Sequence, residues 1–482
     1  HRDTETQRRK ENLLAGRPRR YFSASLIFLY LAVTLPLAYL LNIWMDEAST
    51  LYTTGGGFFA AWQNVFGNEK QAPLYFLLLS VWRGVGGDSV FWARFFSVLC
   101  GALAIKFFFD LAQHFFAEKQ ARFVSVLFAL HPFLIWTSLE IRVYSLVILL
   151  SVLLLKFFVE GYLQGENDSP AKTRKSPSRA RIYFTLAAVF ALYTNYYLGF
   201  LLVGFFAALV VSREFKAARE YFGQMLFVLL AIAPLIWIVK QQLAVNTSGF
   251  QPERSIIEGS RFLWNHALTI LFPTEFYVPG EQTLISFLRV WLVRFGAVVI
   301  LIFLAREVFR IAGMLRGERR RRQQKGGDGR IRFGLLILEA EVINILIFGT
   351  IAATVAALLI AAYYLLGAQY VALRHAAVWF VPLGLFVFAL LTMILPRRGW
   401  IFFAVVFAFL YPYSIYNHYP QMAKRGDWIR VARFIEANEK PNQPIIVFQN
   451  YDALSLPYYY RGVNRILPDE RFFAWSFEEP VS

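Results

Sequence analysis

The chain is poor in the residues that soluble and secreted proteins rely on. It has one cysteine, Cys100, in 482 residues, so no intrachain disulfide is possible and a disulfide-stapled scaffold is excluded. Charged residues make up only 17%, against about 25% in soluble domains. There is no Walker, Rossmann or metal-ligand signature and no internal repeat. In their place stand 57% apolar residues, 18% aromatics and 49 phenylalanines. That composition excludes a disordered chain and an ordinary soluble enzyme, and it implies that lipid is the solvent for most side chains.

A span needs ~20 mostly apolar residues to cross the ~30 Å hydrocarbon layer. The first is Tyr21–Ile43, too long and too late for a signal-peptide core, with no small-residue cleavage site after it. Further spans are expected at Val90–Phe116, Ala121–Thr137, Val143–Tyr162, Ile182–Thr194, Tyr197–Val211, Phe222–Val239, Leu284–Ala305, Val342–Leu366, Ala376–Leu395 and Trp400–Tyr416, eleven in all. Cys100 falls within one of them and reads as helix packing. Pro73–Trp82 is apolar but too short to span, and reads as a helix lying in the interface.

Net charge is +17, and the cations gather in short loops between apolar runs. Lys172, Arg174, Lys175, Arg179 and Arg181 form one string, Arg213, Lys216 and Arg219 a second, and Arg319–Arg322 a third. With the N-terminus inside, all three fall on the cytoplasmic side, as the positive-inside rule requires. This favours a topology signal and contact with anionic lipid over nucleic-acid binding.

The expected fold class is therefore an all-α polytopic membrane protein with a small α/β tail outside. Its expected parts are a basic cytoplasmic segment 1–20, a transmembrane domain 21–416 and an extracytoplasmic segment 417–482. Within the domain lie a first outer loop 44–88, an outer loop 241–283 and a basic cytoplasmic loop 306–332. The tail carries a helix-like run Trp428–Glu436 and a β-rich run Ile445–Phe448.

Chemistry-bearing residues collect at the outer face. Asp46 and Glu47 directly follow the first span, and adjacent acids at an interface are costly unless solvated, paired or used. Glu140, Arg142 and Tyr144 stand at a second outer turn, and Arg374-His375 at a third, with Lys70, Arg254 and Arg261 adding cations. Carboxylates that accept a proton beside guanidiniums that hold a phosphate suit a displacement in which a hydroxyl attacks while a phosphate leaves. Lys106 and Lys156 are cations inside spans, expected to snorkel or to sit nearer a helix end than these bounds place them.

Several pieces resemble the GT-C superfamily of membrane glycosyltransferases that use polyprenyl-phosphate sugars. The chain looks most like bacterial relatives of protein O-mannosyltransferases and of lipid A aminoarabinose transferase. Trp44-Met45-Asp46-Glu47 resembles the acidic motif after the first helix, and Ala72-Pro73-Leu74-Tyr75-Phe76 the Pro-Leu-Tyr motif. Ala93-Arg94-Phe95-Phe96-Ser97 resembles the Arg-containing start of the next span, and Glu140–Leu146 the Arg-x-Tyr segment. Leu192–Tyr197 resembles a Tyr-Thr-His-Tyr stretch with Asn195 where His is common. Arg374-His375 stands where many relatives have Arg-Tyr, and Asp427–Ala432 resembles the start of the outer tail.

The resemblance implies an inverting transferase acting at the outer face of a bacterial inner membrane. Asp46 would be the general base, with Glu47 assisting or orienting and Glu140 a second acceptor-side carboxylate. Arg142, Arg374 and Lys70 would bind the donor phosphate, and Tyr75, Tyr144 and Tyr196 would contact substrate. No cofactor or metal is implied; the partners are a polyprenyl-phosphate sugar, membrane lipids and a lipid, glycan or protein acceptor, with a membrane-complex partner possible. Two rivals remain. One is a catalytically silent scaffold of the same fold, against which the presence of Asp46 counts. The other is a transporter, disfavoured because ionisable residues concentrate at one face rather than at mid-membrane.

Overall fold

The computed structural model describes residues 2–68, 71–163, 177–245, 255–273, 291, 332–366, 371–394, 399–423, 427–447 and 454–467. The long apolar runs become helices because lipid offers no partner for a free backbone amide or carbonyl. α1 (Arg2–Leu40) enters from the basic N-terminal segment. The first outer loop then folds into α2 (Met45–Thr53), α3 (Phe58–Asn68) and α4 (Leu74–Gly86). α5 (Val90–Phe115), α6 (Glu118–Ala129), α7 (Pro132–Ser138) and α8 (Tyr144–Phe158) follow. Next come α9 (Pro177–Thr194), α10 (Leu198–Val211), α11 (Phe215–Ala231), α12 (Ala233–Val245) and α13 (Ile256–Leu271). After them come α14 (Arg332–Leu366), α15 (Ala377–Ile394), entered through a 3-10 turn at Leu373–Ala376, α16 (Gly399–Ala423) and α17 (Trp428–Asn438).

Among the described residues five helices are long and apolar enough to cross a bilayer, and seven if each of two bent pairs counts as one span. The expected count of eleven is not confirmed by these residues. Ile182–Thr194 and Tyr197–Val211 fold into α9 and α10 around a turn at 195–197, and the 14 residues of α10 rise only about 21 Å. The expected span Leu284–Ala305 and the basic loop 306–332, apart from Trp291 and Arg332, lie outside the described residues. Within the expected outer loop 241–283, α13 is a helix that hydropathy did not suggest.

The two bends have local causes. Ala121–Thr137, expected as one span, breaks by 47° between α6 and α7. Pro132 lacks an amide hydrogen and begins α7, while His131 Nδ1 accepts the Phe133 N–H at 3.1 Å. Between α11 and α12 the chain turns 53° just before Pro234.

α8 is the central helix. Of its span 78% is buried, against 22% for the first span. It packs on α5, α9 and α15, while α14 packs on α10, α13 and α15. Lys156 is buried on α8 and pairs with Glu160 in the π-helical turn Val159–Leu163; His114 Nε2 lies 3.6 Å from the same carboxylate. Lys156 therefore does not snorkel but lies in the last turn of α8, the second of the two expectations, where an ion pair one turn away satisfies it. Lys106 instead lies exposed on α5, its ammonium 5.3 Å from the Phe107 ring. Cys100 is buried among the packed helices.

The tail forms the expected α/β element. β1 (Ile445–Ile446) pairs in parallel with β2 (Ile466–Leu467), and Ala432, Leu456 and Tyr460 make a small core beneath α17. It docks on the end of α1: the Ile43 N–H donates to Tyr459 Oη at 2.7 Å and the Ile429 N–H to Asn42 Oδ1 at 3.3 Å.

Close approach decides one position on α5. A Cβ on Gly101 would lie 2.1 Å from Tyr30 Oη and 2.6 Å from Ser138 Oγ, where α1, α5 and α7 converge. Gly101→Ala is expected to destabilise the fold by about 1–3 kcal/mol through overpacking, seen as a lower thermal midpoint of the protein in detergent.

Candidate active site

The site is built on one buried ion pair. Arg94 of α5 is 1% exposed, and its Nη1 donates to the carbonyls of Ala38 and Leu41 at 2.8 and 2.9 Å, closing off the C-terminal end of α1. Its Nη2 meets Glu47 Oε1 at 3.0 Å and Oε2 at 3.2 Å, and its Nε reaches Oε1 at 3.3 Å. Glu47, in the first turn of α2, also accepts the Ile141 N–H at 2.9 Å and the Trp44 N–H at 3.2 Å. One carboxylate thus ties together the end of α1, the start of α2, α5 and the turn between α7 and α8.

Successive helical residues point about 100° apart, so fixing Glu47 inward turns Asp46 another way. Asp46 is 16% exposed, and its Oδ2 contacts Arg374 Nη1 and lies 3.7 Å from Arg142 Nη2. Arg142 is anchored in turn, its Nη1 donating to Thr50 Oγ1 at 2.9 Å and to the Asp46 carbonyl at 3.2 Å. The Arg374 guanidinium stands 5.7 Å from the Trp44 ring centroid. Two guanidiniums and a carboxylate therefore meet at the mouth of the bundle.

Around them lie groups with hydrogen-bonding capacity to spare. Tyr144 and Tyr197 flank His375, with ring centroids 6.0 and 5.4 Å away. Tyr75 is buried on α4 against Phe76 and Phe96. Burial pushes its phenol well above the ordinary range, so it acts as a neutral hydroxyl, with the Arg142 charge opposing the rise. Among the described residues, Tyr144 Oη, His375 Nδ1 and Arg374 Nε are buried without a protein hydrogen-bond partner. Buried polar atoms are seldom left so, and three in one cluster mark a place where a polar ligand fits. Glu140 is 1% exposed on the turn before Arg142.

The structure thus gathers Asp46, Arg142, Arg374, Tyr144 and His375, and draws Tyr75 and Glu140 close. Glu47 stands behind Asp46 with its oxygens taken by Arg94 and two backbone amides, which suits positioning rather than proton transfer. Tyr196 is half-buried in the turn at 195–197, its phenol pushed by burial up to about 12; the ring that meets His375 is its neighbour Tyr197. Asn195 Oδ1 accepts the Tyr197 N–H at 2.9 Å and so shapes that turn. Lys70 and Arg254 lie outside the described residues.

Sequence reasoning quoted Arg94 within a motif but gave it no role. An arginine inside an apolar span was the available signal. Arg83 was missed as well. It is buried on α4 and donates to the Leu51 carbonyl at 2.5 Å and Thr54 Oγ1 at 2.7 Å, fixing the far end of α2.

No family model and no curated protein matches the chain. Among solved structures it is similar to ArnT from Cupriavidus metallidurans bound to undecaprenyl phosphate, with 14% identity and a TM-score of 0.44 over 95% of this chain and 88% of that one. It is similar also to the apo state of that protein, with 14% identity and a TM-score of 0.41 over 92% and 86%. A third similarity is to the Archaeoglobus fulgidus oligosaccharyltransferase in complex with Zn and sulfate, with 13% identity and a TM-score of 0.42 over 92% of this chain and 62% of that one.

Removing either member of the Glu47–Arg94 pair leaves an uncompensated buried charge, at a cost of about 3–5 kcal/mol. Glu47→Ala and Arg94→Ala are each expected to lower the thermal midpoint strongly. Asp46→Asn, at a partly exposed site, is expected to leave it nearly unchanged.

Proposed function

We propose that the chain is an inverting glycosyltransferase that moves a sugar from a polyprenyl-phosphate donor to a hydroxyl acceptor at the outer face of the membrane. The observation that carries this reading is the Asp46 carboxylate held between Arg142 and Arg374 beside unpartnered phenol, imidazole and guanidinium atoms. A base and a cation pair in one place are what a hydroxyl-for-phosphate displacement needs.

In the proposed reaction Asp46 takes the proton of the acceptor hydroxyl as its oxygen forms a bond to the anomeric carbon. The bond from that carbon to the phosphate oxygen breaks on the opposite face, inverting the configuration. The charge growing on the departing polyprenyl phosphate is met by Arg142 and Arg374, in a setting where excluded water strengthens such contacts. Tyr75, Tyr144 and His375 hold sugar hydroxyls, Glu140 supports the acceptor side, and Lys70 is a third cation for the phosphate. Glu47 and Arg94 position the base.

An apolar groove supports a lipid donor. Phe108, Val124, Phe128, Phe380, Phe388 and Tyr411 are among its lining residues, and Phe380 follows Arg374 by six residues, about 9 Å along the helix. A lipid whose phosphate meets Arg374 has an apolar slot below it for its chain. In this reading the domain 21–416 lies in a bacterial inner membrane with the N-terminus cytoplasmic, and the segment 417–482 stands outside beside the site.

Asp46→Asn is expected to lower polyprenyl-phosphate release by about 10²–10⁴-fold, and Arg142→Gln by about 10²-fold, measured on purified protein in lipid with a panel of polyprenyl-phosphate sugars. Equal release by wild type and Asp46→Asn would remove Asp46 from its role. Absence of turnover with every donor and a membrane-extract acceptor would favour the silent scaffold.

A further inference from the structure

We propose that Arg374 is an exchangeable counter-ion, held by Asp46 in the empty site and passed to the donor phosphate when it binds, so that phosphate arrival frees the base. This rests on the reaction proposed above. The two arginines beside Asp46 are held differently. Arg142 is 8% exposed and locked by Thr50 Oγ1 and the Asp46 carbonyl, contacts that do not depend on the carboxylate. Arg374 is 28% exposed and sits on a four-residue 3-10 turn. Among the described residues its Nε is buried without a partner, and its hydrogen bond to a side chain is the one to Asp46. A guanidinium has five N–H donors in a rigid fork, and much of that fork is still open.

A carboxylate oxygen already bonded to a guanidinium is not free to receive the proton of an acceptor hydroxyl. The same guanidinium is needed by the phosphate. Both demands are met if Arg374 serves them in turn: a phosphate oxygen replaces Asp46 Oδ2 as its partner, and the Trp44 ring under the guanidinium supports it in either position. Arg142 stays in place and keeps Asp46 oriented through its backbone carbonyl. Acceptor activation then waits for the donor, which limits unproductive reaction at an empty site.

The test is binding of a polyprenyl phosphate, with the unphosphorylated polyprenol as control, to full-length protein in detergent. It compares wild type, Asp46→Asn, Arg374→Gln and the double variant, and the changes are near-isosteric at partly exposed positions. Asp46→Asn releases Arg374 and is expected to tighten phosphate-dependent binding about tenfold, Arg374→Gln to weaken it, and the double variant to bind no tighter than Arg374→Gln alone. Coupling of that size is usual for side chains in contact. Arg374→Lys keeps the charge and is expected to restore the gain made by Asp46→Asn. Unchanged binding by Asp46→Asn would overturn the exchange, as would a gain that survives in the Arg374→Gln background, since that is the field effect of removing one negative charge. If wild type does not distinguish the phosphate from the polyprenol, the transferase reading fails and the exchange falls with it.

Discussion

The buried pair of Glu47 and Arg94 is the contact on which the rest of the outer face depends. Two charges removed from water cost several kcal/mol each unless their remaining hydrogen-bonding capacity is filled. Here it is filled by backbone: Arg94 takes the carbonyls that α1 leaves open at its end, and Glu47 takes the amides of Trp44 and Ile141. The pair therefore fixes where α1 stops, how α2 leaves it and where the turn carrying Glu140 and Arg142 lies.

In the proposed reaction the adjacent acids divide two tasks that one residue cannot perform together. A carboxylate rigid enough to organise four chain segments has no free oxygen for a proton. Asp46, one position earlier, inherits rigidity through the backbone while its side chain faces the cluster of Arg142, Arg374, Tyr144 and His375. The tail adds to this frame from outside, since Tyr459 and Asn42 join it to the residues just before Trp44.

Much of the fold was legible because the bilayer imposes a length. The spans at Tyr21–Leu40, Val90–Phe115, Tyr144–Leu163, Val342–Leu366 and Leu373–Met393 lie within a few residues of the expected ones. What hydropathy could not show is how a helix of intermediate length is used, so α9 and α10 read as spans and α13 as loop. The helix that carries the span Val342–Leu366 begins earlier, at Arg332, and runs for 35 residues. The gathering of Asp46, Arg142 and Arg374 was legible from their shared side. The roles of Arg94 and Lys156 were not, because a sequence lists charges without their partners. Likewise the choice between Tyr196 and Tyr197 rests on a turn shaped by Asn195, which periodicity does not report.

The most direct measurement is an electron-microscopy structure of the protein in lipid with a polyprenyl phosphate bound. The account expects phosphate oxygens at about 2.7–2.9 Å from the guanidiniums of Arg142 and Arg374, with the prenyl chain running toward Phe380. A phosphate bound away from both arginines, with Asp46 facing no part of the ligand, would contradict it.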